Sequence, residues 1–397
     1  MKNILIASFD LEIGGVERSL ISMLEHFDYE NYNVDVMLYR HQGDFMPMLT
    51  KKVNLLKEVP QYATFRKSIG TLLKEKNYAI ATTRILAKLQ ADLIGKIKRY
   101  SEPGYYQMQL MWKYAMPFLP EVEKEYDLAI SYLWPHDFVA EKVKAKKKIA
   151  WIHTDYSSIK TNEKLDINIW FKFDLIFAVS EACRNSIVNK YPGIGNKIIV
   201  MENIMSTELI KTMSKETVEN PLVKDSRFKI ITIARLSHAK GIDNAIKALE
   251  ILVKKGYSDL AWYVIGYGGD ENKLKDLIAQ YQLSDRFILL GKKLNPYPYL
   301  KTADVYVQPS RYEGKAVTVT EAQVLGKAII ITNYSTASSQ LKENIEGLIC
   351  ENSPQGIASS IEKLYMDDGF RRNLQKQNEL RNFENNSELE KLFSLIN

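Results

Sequence analysis

Two rounds of one pattern constrain this chain more than anything else in it. Short β-branched apolar runs alternate with segments of helical periodicity. The first round begins with "KNILIAS" and a helix from near Val16, and continues through "YNVDVMLY", "DLAISY", "KKIAWIH", "LIFAVS" and "KIIVMEN". A polar stretch, residues 206–227, then interrupts it and reads as a linker or a first surface helix. The second round has the strands "FKIITIARL", "LAWYVIG", "RFILLG", "DVYVQPS" and "KAIIITN", with "GIDNAIKALEILVKKG", "DENKLKDLIAQYQL" and "TEAQVLG" as helices between them. Strands that are apolar at every position are covered on both faces, which is the property of parallel sheets enclosed by helices. The expected fold is α/β, with two doubly wound, Rossmann-like domains of similar size. Two such domains facing each other form a cleft, and open parallel sheets bind ligands beyond the carboxyl ends of their strands.

The length of 397 residues suits two domains, and a hydrophobic fraction of 46% suits two large cores. A net charge of +6 is mild for this size and does not point to nucleic acid. Positive charge is concentrated, however: residues 40–100 hold 13 Lys or Arg against 4 Asp or Glu. Within that stretch "TRILAKLQADLIGKIKRY" reads as a basic amphipathic helix. Such a helix either rests on an anionic membrane surface or shows solvent its charged face and buries the apolar one. Cys183 and Cys350 form no CxxC pattern, which fits a reducing compartment. The opening "MKNILIASFDLEIGG" reads as a first strand rather than a signal peptide, and no apolar run approaches the roughly 20 residues of a membrane span. These features lead to an expected cytoplasmic location, with peripheral contact at the inner face of the cell membrane under the membrane reading.

Several residue types stand where a ligand would be met. Gly14 and Gly15 lie between the first strand and its helix, where backbone N–H groups face an anion or simply make a tight turn; the GxGxxG dinucleotide fingerprint is absent. Arg235 follows a strand, and Lys240 precedes a helix five residues later. Cations at a helix start oppose its dipole, a penalty that an anionic ligand would remove. Gly266, Gly268 and Gly269 form another strand–helix turn. In "RYEGKAVTVTEAQVLG", Glu313 and Gly314 fall in a loop after a strand, and Thr320 is expected to cap a helix that Glu321 begins. A carboxylate there is comfortable against the dipole, and it is also a good acceptor for vicinal ribose hydroxyls. His153 ends a strand in "WIHTDY", as a structural or a functional imidazole. No Asp-x-Asp is present to hold a divalent metal on a sugar diphosphate, so cations and helix dipoles are the expected means of neutralising a leaving group.

Taken in order, Arg235 with Lys240-Gly241, the Gly266–Gly269 turn, "ADVYVQPSRYEG" and Glu313 followed by Glu321 resemble the retaining GT-B glycosyltransferases of the GT4 type, glycosyl transferases group 1. "GGVER" near the start resembles that family's first phosphate-facing loop, and the likeness extends over nearly the whole chain. The resemblance implies an acceptor-binding N-terminal domain, 1–205, and a nucleotide-sugar-binding C-terminal domain, 206–379. A last helix at about 380–397 would cross back to the first domain. Arg235 and Lys240 would hold the donor diphosphate and stabilise the leaving nucleoside diphosphate. Glu321 would bind the ribose and Glu313 the sugar hydroxyls. The backbone of Gly314, Lys315, Ala316 and Val317 would line sugar and phosphate, with Gly266 and Gly268 beside them. Gly14 and Gly15 would approach the phosphates from the other domain. His153 would lie near the reacting centre, with Ser180 and Asn203 along the cleft.

The implied reaction moves a hexose from a nucleotide sugar, with UDP the expected base, to a glycan or lipid-linked saccharide in cell-surface polysaccharide or capsule synthesis. It would retain anomeric configuration and need no cofactor, divalent metal or nucleic acid. The aromatic segment "EPGYYQMQLMWKYAMPFLP" would line the acceptor groove or form a core stripe. Lys315 where the family has an aromatic, Ile204 after Asn203 in place of Gly, and Ala328 where Pro is usual are departures that bear on which sugar is bound. The alternatives are a sugar-nucleotide epimerase of the same architecture and a two-lobed small-molecule binding protein. A nicotinamide dehydrogenase is disfavoured by the missing fingerprint.

Overall fold

The computed structural model describes residues 1–98, 104–385 and 387–396. The chain divides into two compact units. The first comprises residues 1–12 and 16–203 with the C-terminal helix Ser387–Ile396; the second comprises Ile13–Gly15 and Ile204–Asn385.

The first unit is built on a seven-stranded sheet. Its strands are β1 (Lys2–Ser8), β2 (Tyr32–Leu38), β3 (Asn54–Leu55), β4 (Glu125–Ser131), β5 (Lys144–Ile152), β6 (Leu175–Ala178) and β7 (Ile198–Val200), in the order β3-β2-β1-β4-β5-β6-β7. Every pairing is parallel, and Ile4 lies opposite Val34 on one side and Leu128 on the other. The continuous apolar run of β5 has its explanation here. Ile149, Ala150 and Trp151 are fully buried, so no position on either face needs a polar residue. Asp35 in β2 is a buried carboxylate in this sheet. Burial pushes its carboxyl up, but hydrogen bonds from Lys124 (2.9 Å), Asn54 (2.9 Å) and Tyr126 (2.8 Å) overcome that and hold it below the usual range. The C-terminal helix packs on this unit, with Phe393 stacked on Tyr32 at 5.2 Å and edge-on to Phe27 at 5.2 Å.

The second unit has a six-stranded parallel sheet. Its strands are β8 (Phe228–Ile233), β9 (Leu260–Ile265), β10 (Phe287–Gly291), β11 (Val305–Gln308), β12 (Ala328–Thr332) and β13 (Leu348–Cys350), in the order β10-β9-β8-β11-β12-β13. Side chains alternate between two cores. Ile230, Trp262, Val264, Val305 and Ile330 enter one, and Ile231, Tyr263, Tyr306, Ile329 and Ile331 the other. In each sheet one strand has its sequence neighbour on one side and a later strand on the other: β1 sits between β2 and β4, and β8 between β9 and β11. These are the points at which doubly wound sheets open a crevice beyond their strand ends.

Of the two readings of the polar stretch after residue 205, the structure takes the helix: it opens with Thr207–Met213, whose first turn is capped by Ser206. One local expectation is corrected. The helix carrying Glu321 begins earlier than the sequence suggests. It spans Val317–Val324 with Ala316 at the N-cap position, so Thr320 lies inside it and caps nothing. "VTVT" has strand propensity, but burial of Val317, Val319 and Ala322 overrides it. Among the described residues no helix is long and apolar enough to cross a membrane.

Candidate active site

The second unit assembles its polar residues at the carboxyl ends of β8, β9 and β11. Glycines let these loops touch. A Cβ at Gly266, whose φ is +156°, would stand 1.8 Å from the carbonyl oxygen of Ala234, and one at Gly268 would stand 2.2 Å from that of Leu236. Gly241, at φ +64°, brings the start of the Ile242–Lys254 helix against the Pro309 carbonyl, where a Cβ would lie at 1.9 Å. Arg311 clamps the same junction through a bidentate pair with Asp243 at 2.7 and 2.8 Å. Burial pushes Asp243 up, and Arg311 more than offsets it, holding the carboxyl below its usual range.

Lys240 and Glu313 meet across this junction. The Lys240 Nζ donates to both Glu313 oxygens, at 2.6 and 2.7 Å. Glu313 also accepts from Ser310 Oγ (2.6 Å) and Gln308 Nε2 (3.0 Å), and its carbonyl accepts from Thr336 Oγ1 (3.0 Å). Its side chain is 8% exposed. Glu321 is 1% exposed in the middle of its helix and accepts from the Tyr297 hydroxyl at 2.9 Å. Arg235 is exposed and forms no ion pair among the described residues. Lys315 is half-buried. One expectation changes: the Ala316 N–H donates to Gln340 Oε1 at 3.1 Å, and Gln340 returns a bond to the Ala316 carbonyl, so that amide is not open to a ligand. Gly314 and Val317 are buried at the approach to the helix start, whose first-turn N–H groups lack intrahelical partners. The arrangement offers cations and a helix N-terminus to an anion, with two carboxylates nearby to accept hydroxyl protons. Among the described residues no group of three or more His, Cys, Asp or Glu is placed to hold a metal ion.

The first unit gathers a second set beyond β1 and β4. Ser19 Oγ lies 2.8 Å from the Tyr132 hydroxyl and donates to Asn203 Oδ1 at 3.1 Å. The His153 ring lies 5.0 Å from that of Tyr132 and stacks on Trp151 at 6.1 Å. Both His153 nitrogens are closed to solvent without a well-formed hydrogen bond. Burial pushes the imidazole down to about 3, against weaker opposing contacts with the Tyr132 backbone and the Asn203 side chain. His153 and Asn203 are therefore brought together, with Ser19 and Tyr132 as partners that the sequence did not single out. Ser180, just past the end of β6, caps the Glu181–Lys190 helix, accepting from the Cys183 N–H at 3.1 Å. Gly15 opens the Gly15–Glu25 helix, with Gly14 just before it, and both fall in the short segment grouped with the second unit.

The aromatic segment contributes both to the core and to a cavity. Trp112 is fully buried and stacks on Phe65 at 4.1 Å, which is a core role. Gln109 and Lys113 of the same helix, Gly104–Ala115, instead line a cavity of about 190 Å³ with Trp134, Asp137, Asp166 and Trp170. Residues 102 and 103 of the segment lie outside the described residues.

Residues 213–381 match the model of the glycosyl transferases group 1 family. Over the whole chain the Anabaena protein HepE, crystallised with UDP and glucose, superposes with a TM-score of 0.72 at 16% identity, covering 100% of this chain and 99% of that one. The chain has the GT-B fold. The GT-B chain is 28% identical over 204 residues to the capsular polysaccharide biosynthesis glycosyltransferase CapM of Staphylococcus aureus, covering 49% of this chain and 53% of that one. It is 24% identical over 226 residues to the N-acetylgalactosamine-N,N'-diacetylbacillosaminyl-diphospho-undecaprenol 4-alpha-N-acetylgalactosaminyltransferase of Campylobacter jejuni, covering 56% of this chain and 59% of that one. The GT-B chain spans about half the length of the curated relatives it matches.

The polar residues that the sequence did not single out in the second unit are Gln308, Ser310, Tyr297, Thr336 and Gln340. Gln308 did carry a signal, as a polar residue at the carboxyl end of an otherwise apolar strand. Tyr297, Thr336 and Gln340 lie in separate segments and carried none.

Proposed function

We propose that this chain transfers a hexose from a nucleotide sugar, with UDP the base, to a glycan or lipid-linked saccharide in cell-surface polysaccharide synthesis. The observation that carries the reading is the pairing of Lys240 with Glu313 at the β8–β11 junction, with an exposed Arg235 just past the end of β8 that holds no ion pair among the described residues. A donor diphosphate would draw Arg235 and Lys240 to its oxygens, and Glu313 would then accept from hydroxyls of the transferred sugar. Glu321 would accept from the ribose. UDP as the base is supported by the complex in which HepE was crystallised, and the lipid-linked acceptor by the diphospho-undecaprenol in the Campylobacter relative's name. CapM supports the polysaccharide context.

In the proposed step the bond between the anomeric carbon and the diphosphate breaks, and a bond to the acceptor hydroxyl oxygen forms on the same face. The acceptor proton passes to the leaving diphosphate. Cations and the helix start stabilise the charge on that group, so the step is proposed to need no divalent metal or other cofactor. His153, held neutral by burial, would serve as a hydrogen-bond partner near the reacting centre rather than as a cation. Asn203 would position it, and Gly14 and Gly15 would face the phosphates. We place the protein in the cytoplasm at the inner face of the cell membrane, a placement supported by the basic stretch 40–98.

A thermal-shift panel of UDP, GDP, ADP, CMP and NAD, each with magnesium and with EDTA, tests this. A ligand at about 100 times its dissociation constant adds about 2.7 kcal/mol, a readily visible shift. Stabilisation by UDP that EDTA leaves unchanged is the expected result. Stabilisation by NAD alone, or by none of the five, overturns it.

A further inference from the structure

The helix Tyr78–Lys98 presents its faces the wrong way round for a helix that simply covers a core. Its inward residues are mostly small: Ala81, Ala87, Ala91 and Gly95 are buried. Arg84 is buried with them, its guanidinium held by the carbonyl oxygens of Thr64 (2.8 Å), Phe65 (2.7 Å) and Lys67 (2.5 Å). Ile80 in the first turn is buried and Ile94 is half-buried, but the other large apolar residues point outward. Ile85 is 41% exposed, Leu86 54%, Leu89 62%, Leu93 60% and Ile97 71%. Their spacing of three and four residues makes one continuous stripe opposite the small residues. Tyr78 at the start of the helix and Leu73 on the helix before it are exposed too. Single exposed leucines are ordinary, but a contiguous apolar stripe on one helix marks an interaction surface.

The charges around the stripe identify its partner. Lys74, Lys88, Lys96 and Lys98 are all exposed, and the helix itself contains one acid, Asp92. A second copy of this chain docked symmetrically on the stripe would set the same lysine-rich surface against itself. An anionic bilayer would instead take the leucines among its acyl chains and the lysines at its headgroup phosphates.

We propose that Tyr78–Lys98 is a lipid-docking helix that lies in the plane of an anionic membrane with Leu86, Leu89, Leu93 and Ile97 inserted. The inference deepens the lipid-linked-acceptor reading, on which its purpose rests, by naming the face that meets the lipid. The sequence left open whether the apolar side of this helix faces the core or a membrane, and the structure turns it outward.

Co-sedimentation of the full chain with vesicles tests it, using phosphatidylcholine alone or with about one third phosphatidylglycerol. Binding to the anionic vesicles, weakened by salt, is expected. The double variant L89E/L93E should lose at least about tenfold in partitioning. Replacing Lys88, Lys96 and Lys98 by Gln should weaken it about fivefold per residue. Both outer-face changes should leave the UDP-induced thermal shift intact, which separates lost docking from lost folding. No sedimentation of the unchanged protein with anionic vesicles overturns the proposal, as does equal sedimentation of L89E/L93E. A dimer that L89E/L93E dissolves, without vesicle binding, overturns it in favour of self-association. If vesicles capture the protein but UDP fails to stabilise it, the docking face stands and the transferase reading falls.

Discussion

Lys240 Nζ lies within 2.7 Å of both carboxylate oxygens of Glu313, although the two residues are 73 positions apart. Each is the other's charge partner. Under the proposed function an anionic donor would exchange this ionic contact for its own at Lys240. Arg235, exposed and with no ion pair among the described residues, would make no such exchange.

That difference separates two substitutions. Lys240→Met leaves the Glu313 carboxylate buried with only Ser310 and Gln308 as side-chain donors, and should cost about 1–3 kcal/mol of stability. Arg235→Met should change stability by less than about 0.5 kcal/mol. Both should weaken UDP affinity by roughly tenfold to a hundredfold, the scale of one charge-assisted hydrogen bond. Urea unfolding and UDP titration of the two variants measure this. Equal destabilisation by both would mean that Arg235 has a structural role.

Glu321 is buried and already accepts from Tyr297, so Glu321→Gln is a cleaner change than removal of the side chain. It should leave the fold intact and reduce UDP affinity by about tenfold or more. The sharper reading is discrimination. The unchanged protein should prefer UDP to its 2',3'-dideoxy analogue, and the variant should not. A variant that still discriminates would remove the ribose assignment.

Much of this architecture is legible in the sequence because parallel strands buried on both faces leave unbroken apolar runs, as "KAIIITN" does for β12. β13, only three residues long, is too short to leave that mark. The start of the helix carrying Glu321 was hidden for a different reason: Val317 and Val319 follow strand propensity, and their burial is a tertiary fact. Among the candidate site residues, charge at a strand end pointed to Arg235, Lys240 and Glu313. The bond between Lys240 and Glu313 could not be read, because it depends on β8 and β11 being neighbours in the sheet. Nor could the capture of the Ala316 amide by Gln340, 24 residues away. Nor could the cap that Ser180 supplies to the Glu181–Lys190 helix.

The three glycines of the 266–269 turn look alike in sequence and differ in space. A Cβ at Gly268 would stand 2.2 Å from the Leu236 carbonyl oxygen, whereas one at Gly269 would meet nothing within 4 Å. Gly268→Ala must push the β8 and β9 loops apart, at about 1–3 kcal/mol. It should also weaken UDP, because Arg235 rides on the displaced loop. Gly269→Ala should be nearly neutral in both. Melting curves with and without UDP report both effects, and a large loss in Gly269→Ala would contradict the loop packing described here.

The first unit should be acid-labile for a reason unrelated to its carboxylates. Burial pushes both His136 and His153 down to about 3, from the ordinary 6.5. His136 is 2% exposed, with its Nδ1 2.8 Å from Ser131 Oγ. Because the folded form resists protonation, the unfolded chain takes up these protons first as pH falls. Stability from the neutral imidazoles is complete above about pH 6.5 and drains as pH drops toward 3, by up to about 1.4 kcal/mol per pH unit for each ring. His136→Gln should be less stable at pH 7 yet lose stability more slowly between about pH 6 and 4. Denaturant unfolding at stepped pH gives the two slopes. Parallel slopes would mean that His136 already titrates near its ordinary value in the folded chain, and that its buried setting admits the charge.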